Sequence, residues 1–555
     1  MKYLIIGGVA GGATVAARLR RLDEEAEIII FEKGEHISYA NCGLPYYIGE
    51  VIENRANLLL QTPESFNARF HIDVRIFNEV IGINAKLKQV EVRHITTGKT
   101  YTESYDKLIL SPGASPVMPP IPGIDNPKIL TLRNVADTDR IKEWVINRNI
   151  KSVVLAGAGF IGLEMAENLH RLGIKVSVVE AAKQVMNVLD YDMAIELHEE
   201  FKQQQVGLYL GHAIERFRQL ASGKIEVQLQ NDVKLTTDMV ILSIGVKPDS
   251  TLAKDAGVKT DKHGMIQVNE HMQTSIHDIY ALGDAVLSKN KLTNSEQAFF
   301  LAGSANKQAR ILANYLAKDP KAKFNGAIGT AIAKVFRLTA ATTGLSEKTA
   351  SRAGLSYLTS VIRIGSHAGY YPGAKQMLLK LVFSLDGKVL GAQAVGVKGV
   401  DKRIDMLATA IGMGANIYDL QEIEHAYAPP YSSAKDPVNQ VAFNAENIMD
   451  KLVKVISLEQ MANRTSDVFV LDVRTAQEVK LGSIDGAVNI PVDEIRNRIN
   501  EIPHNKCIYI YCKAGMRGYI AARILQQHGI PEVYNLQGGY DSYKLYVKNQ
   551  ENHLY

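Results

Sequence analysis

The sequence predicts an α/β fold that contains two copies of one strand–turn–helix–strand unit. The first copy covers residues 1–32 and reads KYLIIGGVAGG, then ATVAARLRRL, then EIIIFE. The second covers residues 149–180 and reads KSVVLAGAGFIG, then LEMAENLHRL, then KVSVVE. In both copies an apolar run enters a glycine-rich turn, a helical pattern follows, and a second apolar run ends on a glutamate. This repetition predicts two Rossmann-like domains.

The two glycine turns predict two dinucleotide sites. Glycine lets the backbone turn tightly and approach a pyrophosphate, whose charge is then stabilised by amides at a helix N-terminus. The second turn has the full GxGxxG spacing, whereas Val9 replaces the middle glycine of the first. Glu32 and Glu180 are placed to hydrogen-bond a ribose hydroxyl. The turn glycines are Gly7, Gly8, Gly11 and Gly12 in the first copy and Gly157, Gly159 and Gly162 in the second.

Composition excludes several classes of function. The chain has 63 Lys and Arg residues against 59 Asp and Glu, so no general nucleic-acid or membrane-surface role is indicated. No apolar run approaches the roughly 18 residues that a membrane span needs, and the first strand begins at once, without a signal peptide. Three cysteines in 555 residues cannot form a disulfide framework, which favours a reducing cytoplasm.

Further landmarks predict a split first domain with a second domain inserted into it. The segments LILSPGA, which contains Gly113, and DIYALGD, which ends at Gly283 and Asp284, each read as a strand that closes on a glycine turn. Residues 323–445 alternate short strands and helices, as expected for an α+β interface domain, and a final α/β unit follows. The predicted domains are 1–112 with 245–322, 113–244, 323–445 and 455–555.

Cys42 is the first candidate for chemistry. It lies in SYANCGLPY, and the Cys-x4-Cys spacing of two-cysteine sites is absent because positions 37 and 47 hold Ile and Tyr. If this cysteine has a redox role, no second protein thiol lies nearby in the sequence, so the sulfur that pairs with it comes from another molecule. Since the thiolate is the nucleophile, we expect positive or dipolar surroundings that lower the thiol pKa. The alternative is a cysteine that only packs in a core.

Cys512 is the second candidate. An alternating apolar strand runs into the loop CKAGMR, and a helix follows at GYIAARIL. The loop amides and the helix dipole can stabilise a thiolate or a persulfide at this sulfur. Lys513 and Arg517 are expected to hold an anionic sulfur donor. Cys507 lies on the strand about 16 Å away, beyond the reach of a disulfide, and is expected to pack in the core.

Two parts of the chain resemble known families. Residues 1–445 resemble the pyridine nucleotide-disulfide oxidoreductases, most closely the coenzyme A-disulfide reductases, in IGGVAGGATVAARLRRLD, SYANCGLPY, YDKLILSPGA, GAGFIGLE, DIYALGD, HAGYYPGA and HAYAPPYSSAKDPVN. Residues 455–545 resemble a rhodanese, or sulfurtransferase, domain in VFVLDVRTAQEV, GAVNIP, YCKAGMRGYIAARIL and LQGGY. The resemblance implies a homodimer with an FAD-binding domain, an NAD(P)H-binding domain, an α+β dimerisation domain and a C-terminal α/β rhodanese domain.

The resemblance also implies the cofactors. Glu180 is expected to repel the 2′-phosphate of NADPH and so to favour NADH. No metal site is indicated. The implied FAD residues are Gly7, Gly8, Gly11, Gly12, Glu32 and Asp284, with Gly113 and Gly283 in the same cofactor-binding set, and the implied NADH residues are Gly157, Gly159, Gly162 and Glu180.

By the same resemblance, electrons pass from NADH through the flavin to a mixed disulfide between Cys42 and coenzyme A. Two-cysteine relatives protonate the leaving thiolate with a His–Glu pair, but this region reads HAYAPPY, without the glutamate. Tyr371 and Tyr427 are expected to take that role, reaching across a dimer interface to the partner subunit's Cys42. Phe70 stands where a basic residue is expected. The implied coenzyme A contacts are Thr14, Arg18, Arg21, Ser38, Asn41 and Lys435.

We therefore expect an NADH-dependent FAD enzyme that reduces small thiol substrates: coenzyme A persulfide, polysulfide or coenzyme A disulfide. Cys512 would accept or relay sulfane sulfur. Two alternatives stay open. One is an NADH oxidase or peroxidase in which Cys42 cycles through a sulfenic acid. The other is a redox-gated sulfur carrier that acts on a partner protein.

Overall fold

The computed structural model describes residues 1–148 and 150–551, and its contacts divide the chain into two units. The first unit comprises Met1–Val179 and His212–Gly329, and the second comprises Glu180–Gly211 and the chain from Thr330 onward. Position 149 of the second repeat and the last four residues of the domain predicted over 455–555 lie outside the described residues.

The first repeat builds a parallel sheet in the first unit. Its strand Lys2–Ile6 pairs with Glu27–Glu32 on one side and with Lys107–Leu110 on the other. Asp73–Ile76 and Ile279–Ala281 pair in parallel at the two edges. The helices Ala10–Leu22 and Ala302–Leu316 pack together beside this sheet, over a core that includes Tyr3, Ile5 and Leu312. Strands covered on both faces read as continuous apolar runs, as these do.

The second repeat builds another parallel sheet. Ser152–Ala156 pairs with Lys175–Glu180 and with Met239–Leu242, and Ile129–Thr131 pairs with the far side of Met239–Leu242. Each repeat thus places its glycine turn at the carboxyl end of a central strand, where α/β sheets bind ligands.

Shorter elements complete the first unit. Its further strands are Asn78–Asn84, Gln89–His94, Thr100–Ser104, Ala114–Pro116, Ile214–Gln219, Ile225–Leu229, Lys234–Thr237, Val246–Pro248, Leu287–Lys289 and Glu296–Ala298. Its further helices are Leu44–Ile48, Pro63–Phe70, Val135–Asn147, Phe160–Arg171 and Thr251–Asp255.

The second unit contains an antiparallel sheet. The helix Val400–Met413 packs on Val389–Gly396, whose residues are all buried, and Pro437–Met449 packs on Tyr357–Gly365. Helices on an antiparallel sheet agree with the predicted α+β architecture. The strand order is Ala331–Val335, Leu338–Gly344, Val389–Gly396, Gln376–Ser384, Tyr357–Gly365.

A parallel sheet near the C-terminus positions Cys512 directly after its central strand, Ile508–Tyr511. The helix Met516–Gln527 follows the cysteine loop and packs on this sheet. The strand order is Lys454–Ile456, Val533–Leu536, Ile508–Tyr511, Phe469–Asp472, Val488–Asn489. Further elements of the second unit are Tyr191–Gln203, Gly207–Leu210, Glu347–Arg352, Ile417–Glu422, Leu458–Ala462, Ala476–Val479 and Gly539–Glu551.

Among residues 1–148 and 150–551, no helix combines the length and the apolar composition that a membrane span requires.

Candidate active site

The first glycine turn leaves no room for side chains at its ends. Gly7 has φ +96°, and a Cβ there would lie 2.2 Å from the carbonyl oxygen of Ser111. A Cβ on Gly12 would lie 1.8 Å from the carbonyl oxygen of Gly7. The helix Ala10–Leu22 starts within this turn, and in the described structure it has neither a side-chain cap nor an acidic residue in its first turn. Its first amides therefore fit a pyrophosphate.

The second glycine turn repeats this geometry. Gly157 has φ +104°, and a Cβ there would lie 2.4 Å from the carbonyl oxygen of Ser243. A Cβ on Gly162 would lie 2.0 Å from the carbonyl oxygen of Gly157. The helix Phe160–Arg171 again begins without a side-chain cap or an early acidic residue among the described atoms. The two turns fit two dinucleotides.

The two turns also explain why Val9 is tolerated. Val9 precedes the first helix with φ −95°, and Gly159 precedes the second with φ −80°. Neither value requires glycine. Among the described atoms, a Cβ on Gly159 would meet nothing within 4 Å. The middle position of the motif is therefore free to vary as far as the protein's own packing is concerned.

Backbone amides hold both terminal glutamates. Glu32 accepts hydrogen bonds from the amides of Gly8, at 2.9 Å, and Gly34, at 2.8 Å. In the second unit, Glu180 accepts one from the amide of Ala182 at 2.9 Å. These bonds fix each carboxylate at the end of its strand, as a ribose contact requires.

A third turn places Asp284 at the carboxyl edge of the first sheet. Gly283 has φ +82°, and its amide donates to Oε1 of Gln308 at 2.8 Å. Within the described residues the Asp284 carboxylate accepts no hydrogen bond, and burial raises its pKa while Arg133 lowers it. A half-buried carboxylate of this kind fits flavin hydroxyls. Gly113, in the turn after Lys107–Leu110, also has a positive φ of +74°.

Cys42 lies in a short 3₁₀ turn, Asn41–Gly43, and within the described residues all three cysteines are free. Although the residue is exposed, neighbouring protein atoms shield its sulfur from part of the solvent. This partial burial raises the pKa of Cys42, and the carboxylates of Glu164 and Asp284 raise it further. We expected positively charged surroundings for this thiol, but the side chains that shift its pKa are negatively charged.

Two residues beside Cys42 were not identified from the sequence. Glu164, on the helix Phe160–Arg171, accepts a hydrogen bond from the Tyr46 hydroxyl at 3.3 Å. Burial raises the pKa of Glu164 to about 7. A protonated carboxylic acid is therefore available near this thiol at neutral pH. The sequence clue to Glu164 was its position at the end of the GAGFIGLE motif.

The expected coenzyme A contacts of the first unit lie on or near the first helix. Thr14 donates to Oδ1 of Asn306 at 2.9 Å, and Nε of Arg18 donates to Oδ1 of Asn314 at 3.0 Å. The Arg21 guanidinium lies 6.0 Å from the centre of the Phe70 ring. Two further contacts flank the Cys42 turn: Ser38 has φ +43° and donates its amide to the Gly8 carbonyl at 2.9 Å, and Asn41 is exposed.

In the second unit the structure pairs Tyr427 with Tyr370. Their hydroxyls lie 2.8 Å apart, and both residues are exposed. Tyr371 instead packs edge-on against His367, with ring centres 5.7 Å apart. Tyr370 was missed because adjacent tyrosines in HAGYYPGA cannot be told apart by sequence. Lys435 is exposed.

The Cys512 loop has the predicted form. Cys512 is buried, and the amide of Gly515 donates to its Sγ at 3.1 Å. Gly515, with φ +118°, begins the helix Met516–Gln527. Lys513 is exposed, and the amide of Tyr540 donates to the Cys512 carbonyl at 2.8 Å. One loop amide, at the start of the helix Met516–Gln527, thus faces the sulfur.

Arg517 is less available to an anionic donor than we expected. Both of its terminal nitrogens donate to the Glu478 carboxylate, at 2.7 Å each. Arg517 in turn lowers the pKa of Glu478 to about 2. Glu478 therefore neutralises much of the charge of Arg517, which leaves Lys513 as the exposed cation of the loop.

Three family models match this chain. A pyridine nucleotide-disulphide oxidoreductase model matches residues 1–308, the dimerisation domain of that family matches 330–437, and a rhodanese-like domain matches 455–546. These matches confirm the α/β fold class and the predicted kinds of domain.

Curated relatives and solved structures agree with these models. The coenzyme A disulfide reductase of Staphylococcus haemolyticus is 37% identical over 448 residues, which is 80% of this chain and 100% of the relative. That of Staphylococcus epidermidis is 38% identical over 450 residues, with the same coverage.

Two solved structures extend over nearly the whole chain. The structure of reduced Bacillus anthracis CoADR-RHD has a TM-score of 0.96 and 47% identity, and covers 99% of this chain and 98% of that one. A NAD-dependent persulfide reductase from A. fulgidus has a TM-score of 0.92 and 35% identity, with 98% and 100% covered.

Proposed function

This chain belongs to the pyridine nucleotide-disulphide oxidoreductase family, and from that premise we propose that it uses NADH and FAD to reduce coenzyme A persulfide, polysulfide or coenzyme A disulfide. Its rhodanese domain accepts or relays sulfane sulfur. Its dimerisation domain indicates a homodimer.

The observation that carries this proposal is the lone Cys42, in the unit that also contains the first glycine turn and Asp284. In the described chain this cysteine has no disulfide partner, and its pKa responds to the carboxylate of the third turn. A redox-active thiol without a second protein thiol can complete its cycle by forming a disulfide with the substrate. Small sulfur compounds with a weak S–S bond satisfy that need.

The cofactor turns fit the two dinucleotides. Gly7 and Gly12 form a cradle that a Cβ would fill, and Gly157 and Gly162 form a second one. We assign FAD to the first turn with Glu32 and Asp284, because the strands that lead to this turn and to both carboxylates belong to one parallel sheet. NADH is assigned to the second turn, where Glu180 disfavours a 2′-phosphate.

Cys42 carries the chemistry in this scheme. Its thiolate attacks the coenzyme A sulfur of the substrate, so that a Cys42–S–S–coenzyme A bond forms and the substrate S–S bond breaks. The leaving group is hydrosulfide from a persulfide or coenzyme A thiolate from the disulfide. When bound, NADH and FAD supply the two electrons that cleave the mixed disulfide and restore the Cys42 thiolate. Overall, persulfide, NADH and a proton give coenzyme A, hydrogen sulfide and NAD⁺.

The leaving thiolate needs a proton, and the tyrosine pair can donate one. The hydroxyls of Tyr370 and Tyr427 share a hydrogen bond at 2.8 Å and reach the surface. We assign the proton-donating role to Tyr427 with Tyr370 as its partner, acting on the partner subunit's Cys42. Tyr371 lies one residue from this pair.

Cys512 serves a separate reaction. The Gly515 amide stabilises its thiolate and the persulfide it forms after accepting sulfane sulfur. A donor such as thiosulfate transfers its outer sulfur to Cys512 and leaves as sulfite, so the cysteine becomes a persulfide without any external oxidant.

Anaerobic NADH oxidation with coenzyme A persulfide tests this division of labour. We expect Cys42→Ser to lose turnover by at least about 10³-fold, because no other thiol can form the mixed disulfide. Cys512→Ser should stay within about twofold of wild type on this small substrate, because its thiol is not used. It should lose thiosulfate sulfurtransfer, which Cys42→Ser should retain.

Cys507→Ser is the matched control, because it removes the remaining free thiol and should affect neither reaction. Equal loss of NADH oxidation in Cys42→Ser and Cys512→Ser would overturn the proposal. NADH oxidation that requires oxygen or peroxide instead of a sulfur substrate would favour the oxidase alternative.

A further inference from the structure

One face of the helix Ala302–Leu316 lies against the expected coenzyme A contacts. Asn306, Arg310 and Asn314 follow one another at four-residue intervals, which places them on one side of the helix. Asn306 accepts from Thr14 at 2.9 Å, and Asn314 accepts from Arg18 at 3.0 Å. Since these two contacts bracket Arg310, its exposed side chain shares the surface of Thr14 and Arg18.

Three guanidinium groups gather on this surface. Burial lowers the pKa of Arg18, and the charges of Arg310 and Arg21 lower it further. In the described part of the chain none of the three forms an ion pair with a carboxylate. By contrast, the nearby Arg20 is buried and donates to the carbonyls of Phe70 and His71. Unmatched cations repel one another, and a bound anion relieves this repulsion while accepting their hydrogen bonds.

Phe70 stands where a basic residue was expected, and it contributes an aromatic ring to this surface instead of a charge. Its ring packs on Phe66 with centres 5.0 Å apart, and the Arg21 guanidinium lies 6.0 Å from its centre. The aromatic ring thereby orients Arg21 but supplies no charge. If the substrate carries phosphates, the missing cation must come from another element.

We propose that Arg310 is that cation, and that it binds a phosphate of the coenzyme A nucleotide together with Arg18 and Arg21. The inference rests on the proposed function and identifies the part of the substrate that this helix face recognises. Coenzyme A carries a pyrophosphate and a ribose phosphate, and guanidinium groups bind such oxygens in a bidentate manner. Arg310 acts in substrate affinity and does not reach the reacting sulfur.

Two disulfides that differ in their phosphates test the proposal. Coenzyme A disulfide has the full nucleotide, whereas pantethine has the same sulfur arm without any phosphate. For Arg310→Ala we expect KM for coenzyme A disulfide to rise about tenfold, as loss of a charged hydrogen bond implies. The kcat value and the KM for pantethine and NADH should stay within about twofold. Arg310→Lys should fall between wild type and Arg310→Ala.

Lys321→Ala is the control, because it removes an exposed cation outside this face and should leave every constant unchanged. Bound FAD, measured by absorbance, reports whether each variant is folded. An equal KM change on both disulfides, or none on either, would overturn the role of Arg310. A wild-type enzyme that reduces neither coenzyme A disulfide nor coenzyme A persulfide would instead overturn the proposed function.

Discussion

Glu164 is the charge that most affects Cys42 after burial itself. Its carboxylate repels the developing thiolate, so removing the charge should lower the pKa of Cys42. We expect Glu164→Gln to shift the midpoint of Cys42 alkylation to lower pH in the NADH-reduced holoenzyme. The measurement is the rate of iodoacetamide labelling between about pH 6 and 10.

The sign of the shift follows from the protonation of Glu164. Because burial raises the pKa of Glu164 to about 7, its negative charge develops as the pH rises through neutrality. The two labelling profiles should therefore converge at low pH and separate as the pH rises. Glu53→Gln is the control, since this exposed glutamate lies in the same unit and is not among the charges that shift Cys42. Coincident profiles for all three proteins would contradict a role for Glu164.

Residue chemistry was predictable only where it is local in sequence. Cys42 and Cys512 could be identified because each lies in a short motif whose turn or loop sets its environment. Glu164, Tyr370 and Arg310 could not, because contacts between distant elements give them their roles. Burial of Glu164 requires the turn of Cys42 to lie beside the helix Phe160–Arg171. Arg310 is positioned by the hydrogen bonds of Asn306 and Asn314, whose partners lie 292 and 296 residues away in the chain.

At the scale of elements, the glycine turns differ in what each position requires. Gly162 lies against backbone that cannot move away, because a Cβ there would be 2.0 Å from the Gly157 carbonyl oxygen. Gly159 has open space within 4 Å among the described atoms. The repeat therefore combines one position that needs glycine for packing with one that does not.

Alanine substitutions separate these two requirements. We expect Gly162→Ala to destabilise the fold by about 1–3 kcal/mol, because the helix Phe160–Arg171 must shift to relieve the contact. Gly159→Ala should change the free energy of unfolding by less than about 0.5 kcal/mol, as an unstrained surface substitution does. Thermal unfolding of the holoenzyme measures both. Equal destabilisation by the two substitutions would contradict this reading of the turns.

The same comparison shows how far the elements could be predicted. The repeat was visible because apolar runs, glycines and terminal glutamates recur in the same order. The departure at Val9 seemed to weaken the first copy, yet this position precedes the helix with an ordinary φ of −95° in the structure. A sequence motif gives the residue that is common at a position, whereas the backbone angle shows which residues that position can accept.

At the scale of the whole molecule, buried charge joins parts of the second unit that are far apart in the sequence. Residues 180–211 are part of this unit. Lys380, fully buried in the strand Gln376–Ser384, lies 2.8 Å from Asp192 and 3.3 Å from Asp190, and also contacts Glu347. These carboxylates outweigh burial, which alone would lower the pKa of Lys380, and raise it.

The charge of Lys380 also explains why three carboxylates lie close together, an arrangement that could otherwise hold a metal ion. Oxygen atoms of Asp190, Asp192 and Glu347 lie within 4.8 Å of one another. The ammonium group of Lys380 already supplies positive charge to all three. A buried ion pair of this kind is costly to break, which fixes the segment to the sheet. Hydrophobic patterning could not reveal it, because a lysine in a strand is normally read as exposed.

In the proposed homodimer, the exposed tyrosine pair of one subunit can act on the active site of the other. Tyr370 and Tyr427 are 75% and 48% exposed, which is unusual for large aromatic residues that share a hydrogen bond. If they serve the partner subunit's Cys42, each active site combines residues from two chains. Two inactive variants should then restore each other.

Mixed dimers of Cys42→Ser and Tyr427→Phe provide that test. Alone, Cys42→Ser should be inactive and Tyr427→Phe should lose about 10²-fold, as loss of a proton donor implies. Random mixing makes half of the dimers mixed, and each mixed dimer has one site with both groups intact, so NADH oxidation should recover to about a quarter of wild type. Mixing Cys42→Ser with the double variant Cys42→Ser/Tyr427→Phe is the control and should restore nothing. If the first mixture only averages its two components, Tyr427 serves the cysteine of its own chain, because every mixed dimer then carries one defect in each site.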